Sequence, residues 1–478
     1  MTIFFVRILL ISMKNTTNAT SIRTGPVGPL LVRLALPVLA GLTFNLLYNI
    51  VDTWFIARID TSDPWLVGST GLVFPLFFIF LASSFGITGG VSSLVSRAIG
   101  SGRTDELDRT AESGGGLALA ASAVILLGMY PFARPLLVLF GGSGKVLEYG
   151  LEYLLWLLPT VPFMLLSAVF TGILQGEGRT KQMMTSMMIG TVANIVLDPV
   201  LMFGCGMGIA GAGLATAIGN ALTFAYLVAV FRFRKSAVAI HWKVRNVSAP
   251  VVGEILRVGL PQSALNYLAS VSFIFYNRMM TDVAPVMLTS FTLYSRLEQV
   301  ALIPLWAMSS ALSTVAGQAA GAHDVKRMRE ASRRASFISL GVCGALLVGY
   351  VLSSPLTFRA FQSDPTVLET ALFIAPWMAA STFVSVPIFM ITTVMTTAGF
   401  AGRSLAFTAF RIYCVSVPLC AIGAYAIGKN IGSVMACILI SSVIGLCVAF
   451  AVRARFFAGL SSGRLAIRFS RDDKVGNA

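Results

Sequence analysis

Apolar stretches of about 20 residues follow one another along almost the whole chain, each long enough for one helix to cross a bilayer. Nothing else in the sequence restricts the fold as strongly, because a chain in lipid must satisfy every backbone polar group internally. The apolar runs are continuous and do not alternate, which excludes a β-barrel and leaves a helical bundle. Hydrophobic residues make up 56% of the 478 and charged residues only 12%, an excess that no soluble fold requires. The expected fold is therefore all-α and polytopic. Twelve spans are expected, at 29–57, 66–94, 113–140, 147–175, 182–203, 208–231, 252–280, 284–316, 336–358, 367–395, 404–427 and 431–452.

The net charge of +15 is topological and does not indicate nucleic acid. With both termini cytoplasmic, one side collects Arg97, Arg103, Arg109, Arg179, Lys181, the basic residues of 232–245, those of 326–334 and the tail from Arg453 to Lys474. The other side keeps Arg58, Arg134, Lys145, Arg278, Arg359 and Lys429. That is the positive-inside bias, and it places the chain in a plasma (inner) membrane with both ends inside. MTIFFVRILLIS at the start is apolar but too short to span, and either Met1 or Met13 can be the initiator.

The chain repeats itself weakly at a separation of 221–224 residues. Leu36-Pro37 answers Leu260-Pro261, SRAIGSGRTDELDR (96–109) answers GQAAGAHDVKRMRE (317–330), and QGEGRT (175–180) answers TAGFAGRS (397–404). Six spans per half give the halves the same orientation, related by pseudo-two-fold symmetry about the membrane normal. The expected domains are a cytoplasmic segment 1–28, a six-helix bundle 29–231, a cytoplasmic linker 232–251, a second bundle 252–452 and a basic tail 453–478. Pro37 breaks the helical ladder of span 1 and is the candidate hinge.

Nearly every acid falls in a loop, a tail or at a helix end. Asp52, Asp198 and Glu298, each embedded in a long apolar run, are the exceptions, and a charge at membrane depth costs about 2.5–3.5 kcal/mol on insertion scales. Asn45, Asn49 and Asp52 lie at i, i+4 and i+7 on one face of span 1. Asn194 and Asp198 lie at i, i+4 in span 5, and Thr216 returns on span 6 after the GCGMG turn. Spans 1 and 5 run outward, so both aspartates reach similar depth. Two carboxylates, an amide oxygen and a hydroxyl suit Na⁺, or form a pair that shares a proton. The competing reading is that Asn194 and Asp198 only glue helices. Glu298, with Arg296 two residues before it, reads either as a local charge pair or as a gating or substrate residue.

Several chemistries are not encoded. GGSGKV (141–146) lacks the spacing of a phosphate-binding loop, so ATP use is not expected. The two histidines, His241 and His323, fall in loops, and the six cysteines form no CxxC pair, so neither a metal site nor a disulfide framework is expected. The chain does not read as an enzyme or as requiring a cofactor.

The segments LALP…LYNIVDTWF (34–55), SRAIGSGR (96–103), LQGEGRT…NIVLDPVLMFGCGMGIAGAGLATAIGN (174–220) and GQAAGAH (317–323) resemble the multidrug and toxic compound extrusion (MATE) family, in its prokaryotic MepA/DinF-like branch of the MOP superfamily. The resemblance covers about 29–455. It implies two six-helix bundles in a V, working by alternating access and driven by Na⁺ or H⁺. It also implies a cation site at Asp52, Asn194, Asp198 and Thr216, the positions already picked out by face and depth. NorM-type members carry acids in the second half; here span 7 offers Gln262, Asn266, Tyr267, Tyr276 and Asn277 instead. Asn45, Asn49, Glu298, Arg296, Tyr276 and Asn266 stand as accessory polar positions. The expected activity is cation-coupled export of amphipathic, cationic organic compounds by a monomer, with flipping of a lipid-linked saccharide as the alternative.

Overall fold

The helix boundaries follow the chemistry of the turns as much as that of the spans. In the computed structural model, which describes residues 19–56, 58–59, 65–103, 105–233, 238, 247–361, 364–427 and 430–467, nearly all of the chain is helical. The first half consists of α1 (Val27–Ile56), α2 (Trp65–Ser101), α3 (Asp105–Leu139), α4 (Gly144–Leu157), α5 (Thr160–Glu177), α6 (Thr180–Pro199) and α7 (Ile209–Arg232). The second half consists of α8 (Ala249–Val283), α9 (Pro285–Gly321), α10 (Val325–Phe361), α11 (Pro365–Met395), α12 (Ala401–Ala409), α13 (Val417–Tyr425) and α14 (Ile431–Ser461). Pro159 separates α4 from α5 within one span, and a π-helical turn, Phe410–Ser416, joins α12 to α13 within another. The twelve expected spans are thereby accounted for.

Ten of the described helical stretches are long and apolar enough to cross a membrane by length and composition. One of them, Pro365–Tyr425, is two spans joined at the π-helical turn Thr396–Phe400, where Gly399 takes φ 90°. The other missing span is α8, whose 35 residues include Gln262, Asn266, Arg278 and Asp282.

Several helices outrun their apolar windows on the basic side. α10 begins at Val325, eleven residues before the expected span, and α14 continues to Ser461. Charge ends a lipid span without ending a helix, so hydropathy alone understates these lengths. Arg97 is affected in the same way. It was expected in a cytoplasmic loop, but it lies on α2, is 1% exposed, and donates from Nε to the Ser93 carbonyl at 3.0 Å.

At the opposite ends, local chemistry sets the starts. Asp364 accepts from the backbone N–H of Thr366 at 2.8 Å, with Pro365 in the first turn where no N–H is needed. Asn430 accepts from the Ser433 N–H at 2.7 Å and starts α14.

The chain divides into two compact units, and the divisions fall within helices. One unit is built on Leu36–Leu260, the other on Pro261–Arg468 together with Arg23–Ala35. The first turns of α1 and of α8 therefore each belong to the unit opposite the rest of their helix. The sequence expects the boundary between the bundles in the polar linker 232–251, because composition marks solvent exposure. Most of that linker, the segment 1–18 with both candidate starts, and the tail beyond 467 lie outside the described residues.

In the first unit, Phe80, Leu94, Leu154, Phe170, Ile173 and Leu227 are among the side chains that fill the interior. Thr88 of α2 donates to the Ala168 carbonyl of α5 at 3.1 Å. The interior of the second unit includes Met279, Met287, Phe291, Ile374 and Met435. Lipid tails are as apolar as leucine, so this packing is held by van der Waals fit and by hydroxyl hydrogen bonds.

Candidate cation site

The apolar character of α1, α6 and α7 makes them membrane helices; their few polar residues determine what they bring together. Asp52 lies four residues from the end of α1, and Asp198 at the end of α6. Pro199 follows Asp198 and has no N–H for the preceding turn, and the helix widens there into a π-helical turn, Val200–Gly204. The return to α7 runs through Gly206 and Gly208, both at positive φ (66° and 55°), which only glycine adopts cheaply. This tight return brings Thr216 back beside α6. Gly219 then lets the helices approach closely, since a Cβ there would sit 3.0 Å from the Gly190 carbonyl and 3.5 Å from Asn194 Cβ.

Asn194 occupies the centre of the resulting cluster. Its amide nitrogen donates to Asp198 Oδ2 at 2.8 Å, and its oxygen accepts from the Thr216 N–H at 3.0 Å. Thr216 Oγ donates to the Ala212 carbonyl at 3.1 Å, which leaves the Tyr48 hydroxyl, 3.4 Å away, to donate to it. Asp198 is fully buried, and Asn194 and Thr216 are 4% and 8% exposed. Asp52 is half-buried, and its Oδ1 is buried with no hydrogen-bond partner. The two carboxylates lie within electrostatic reach of each other, and both act on Tyr48 and on Tyr153 of α4.

The structure thus brings Asp52, Asn194, Asp198 and Thr216 into one unit, lined also by Tyr48 and Tyr153. The two tyrosines did not stand out in the sequence. Tyr48 was within reach, four residues before Asp52 on the same face. Tyr153 was not, because its partners in the cluster are on other helices and no spacing within its own span points to them.

The accessory positions are scattered. Asn45 is exposed on α1, and the side chains of Asn49 and Arg296 lie outside the described residues. Asn266 donates to the Gln262 carbonyl of its own helix at 3.1 Å. Glu298 belongs to the second unit, where Oε1 accepts from the Tyr294 hydroxyl at 3.3 Å and from Thr382. Pro37 is buried in α1, next to the division between the units. Among the described residues, no group of three or more His, Cys, Asp or Glu is arranged to hold a metal ion.

Two half-chains of membrane helices, repeated in the same order, with one buried and one half-buried acid close together in one of them, define a polytopic membrane protein of transporter architecture. The MatE family model matches residues 37–200 and again 261–422, beginning at Pro37 and at its counterpart Pro261. The chain belongs to the MatE family. It is 23% identical over 399 residues to the multidrug export protein MepA of Staphylococcus aureus, covering 82% of this chain and 86% of MepA. The MepA of Staphylococcus haemolyticus is 23% identical over 392 residues, covering 81% and 85%.

Among solved structures, a multidrug resistance MATE family transporter of the MOP superfamily in an outward-facing conformation superposes with a TM-score of 0.87. It is 25% identical, over 94% of this chain and all of that one. A Pyrococcus furiosus MOP superfamily transporter, described as having a binding pocket of reversed polarity, gives 0.86 at 25% identity over the same shares.

Proposed function

We propose that this chain is a cation-coupled antiporter that exports amphipathic, cationic organic compounds by alternating access. Na⁺ or H⁺ is taken up at Asp52, Asn194, Asp198 and Thr216, in exchange for substrate released outside. The observation that carries the reading is the buried Asp52 oxygen without a hydrogen-bond partner, within electrostatic reach of a fully buried Asp198. Two carboxylates at this depth cannot both stay ionised cheaply, so a cation or a proton is the natural third member. The Asn194 bridge fixes the Asp198 carboxylate and leaves Asp52 free to respond.

The names of the relatives support export, since the MepA proteins are multidrug export proteins. The energetics are adequate, because one elementary charge moving down 100 mV yields about 2.3 kcal/mol, a roughly fifty-fold gradient of a neutral solute. α1 carries Asp52 from a start in one unit to an end in the other, with Pro37 at the division. A bend at Pro37 is therefore the simplest way for occupancy at Asp52 to alter the arrangement of the helix. The basic loops support a plasma (inner) membrane with both termini cytoplasmic, and nothing in the site requires more than a monomer.

The test is efflux of a fluorescent organic cation from loaded proteoliposomes under separate Na⁺ and pH gradients. Wild type is compared with Asp52→Asn and Asp198→Asn at matched insertion. Efflux that follows one gradient and is lost in both variants establishes the antiporter and identifies its ion. Efflux unaffected by either substitution removes the site.

A further inference from the structure

The second unit contains a half-buried cation that the coupling site does not use. Arg411 lies in the π-helical turn Phe410–Ser416, seven residues beyond Ser404 and so about 10 Å along the helix. Its stem rests on α14 at Gly445, where an added Cβ would lie 2.8 Å from Arg411 Cδ and 3.2 Å from Cγ. The glycine is the seat for the side chain.

At the root of the guanidinium, Arg411 Nε is buried and has no hydrogen-bond partner. No carboxylate among the described residues lies within ion-pair distance of this guanidinium. Glu298, half-buried in the same unit, accepts instead from Tyr294 and Thr382. Hydroxyls form the surroundings. Ser416 donates to Ser441 at 2.9 Å, Ser381 and Ser442 share a hydrogen bond of 2.7 Å, and the Tyr276 ring lies within electrostatic reach of Arg411. None of these groups carries negative charge.

A guanidinium at this depth, with an unpartnered Nε and no carboxylate within ion-pair distance among the described residues, is matched by an anion brought from outside. Its planar fork fits two oxygens of one carboxylate better than any neutral acceptor. We infer that Arg411, seated on Gly445 among the hydroxyls of Ser416, Tyr276 and their neighbours, is a subsite for the carboxylate of an amphipathic substrate. The inference rests on the export reading and narrows it. Substrates with a cationic aromatic body and a carboxylate are handled by two different groups, and a purely cationic analogue does not engage Arg411.

Rhodamine 110 and its methyl ester, rhodamine 123, differ at the carboxylate and share the cationic ring system. Both are loaded into phosphatidylcholine proteoliposomes, which contain no anionic lipid to compete for the arginine. Wild type, Arg411→Gln and Arg411→Lys are compared at matched insertion. For Arg411→Gln, efflux of the acid is expected to fall on the order of tenfold while efflux of the ester is unchanged, the loss corresponding to a charge-assisted hydrogen bond. Arg411→Lys is expected to retain part of the acid efflux, because it keeps the charge and loses the fork.

Thermal stabilisation of the purified protein by each dye gives a second readout that does not require transport, with the acid effect alone expected to depend on Arg411. An equal loss for both dyes, no loss for either, or a wild type that exports the ester and not the acid overturns the subsite. A wild type that exports neither dye under any gradient counts against the export reading itself.

Discussion

Asn194 and Asp198 are joined by a 2.8 Å hydrogen bond from amide to carboxylate across one turn of α6, and the same amide accepts the Thr216 N–H from α7. One side chain thus serves two helices and one acid. Removing it leaves a buried carboxylate oxygen short of a partner and unties α6 from α7 at this point.

The first prediction concerns that bridge. Asn194→Ala should destabilise the protein by about 1.5–3 kcal/mol, the range for losing a hydrogen bond to a charged group. Asn194→Asp should cost at least as much, because a second carboxylate would lie one turn from Asp198 in a medium that screens it poorly. Thermal unfolding in detergent, followed by size-exclusion fluorescence, gives the order wild type, then Ala, then Asp. An Asn194→Asp protein as stable as wild type would contradict this account.

Asp52 leads to the opposite expectation for stability. Its Oδ1 is buried without a hydrogen-bond partner, so the ionised carboxylate is held at a cost. Asp52→Asn keeps the shape and removes the charge. The melting temperature should stay level or rise, by up to about 1 kcal/mol of stability, while gradient-driven efflux is lost. Such a separation of stability from activity distinguishes a residue kept for work from one kept for folding. A variant that is both unstable and inactive would mean that Asp52 is structural.

Much of this site was legible because it rests on spacing. Asn194 and Asp198 at i, i+4 and the N-x-x-x-D-P stretch were readable, as was the GCGMG turn that returns Thr216. Each depends on contacts within a few tens of residues. Tyr153 could not be read, since it arrives from α4 through packing that no local pattern encodes. The exchange of helix starts between units was hidden for the same reason. Leu36-Pro37 and Leu260-Pro261 marked the correct positions, but as kinks; that the division between units passes there is a long-range fact. Nor does the sequence show that Gly445 makes room for the stem of Arg411, since the two lie on different helices.

Glu298 allows a test within the second unit alone. Its Oε1 accepts from Tyr294 and Thr382, while the buried Tyr350 hydroxyl has no partner and its ring lies 5.4 Å from that of Tyr294. Glu298→Gln keeps an acceptor and should lower stability by less than about 1 kcal/mol. Glu298→Ala strands two hydroxyls and should cost about 1–3 kcal/mol. Unfolding midpoints of the pair decide the matter. Equal midpoints would mean that the hydrogen bonds do not hold this cluster together.

The last prediction concerns the approach of α6 to α7, on which the geometry of the site depends. A Cβ at Gly219 would meet the Gly190 carbonyl at 3.0 Å, so alanine is tight and valine cannot fit without moving one helix away from the other. Asn194 Cβ is 3.5 Å from the same point, so the displacement would be felt at the bridge to Thr216. Overpacking of this kind costs about 1–3 kcal/mol in stability. The effect on transport should be larger than the effect on folding, because the hydrogen bond from the Thr216 N–H to Asn194 has little length to spare at 3.0 Å. Gly219→Ala should therefore insert normally and retain part of its efflux, and Gly219→Val should insert with reduced yield and lose efflux altogether. Ion-gradient-driven efflux, normalised to inserted protein, separates the two losses. If Gly219→Val proteoliposomes transport at the wild-type rate per inserted molecule, the close approach of α6 and α7 is not what sets the cation site.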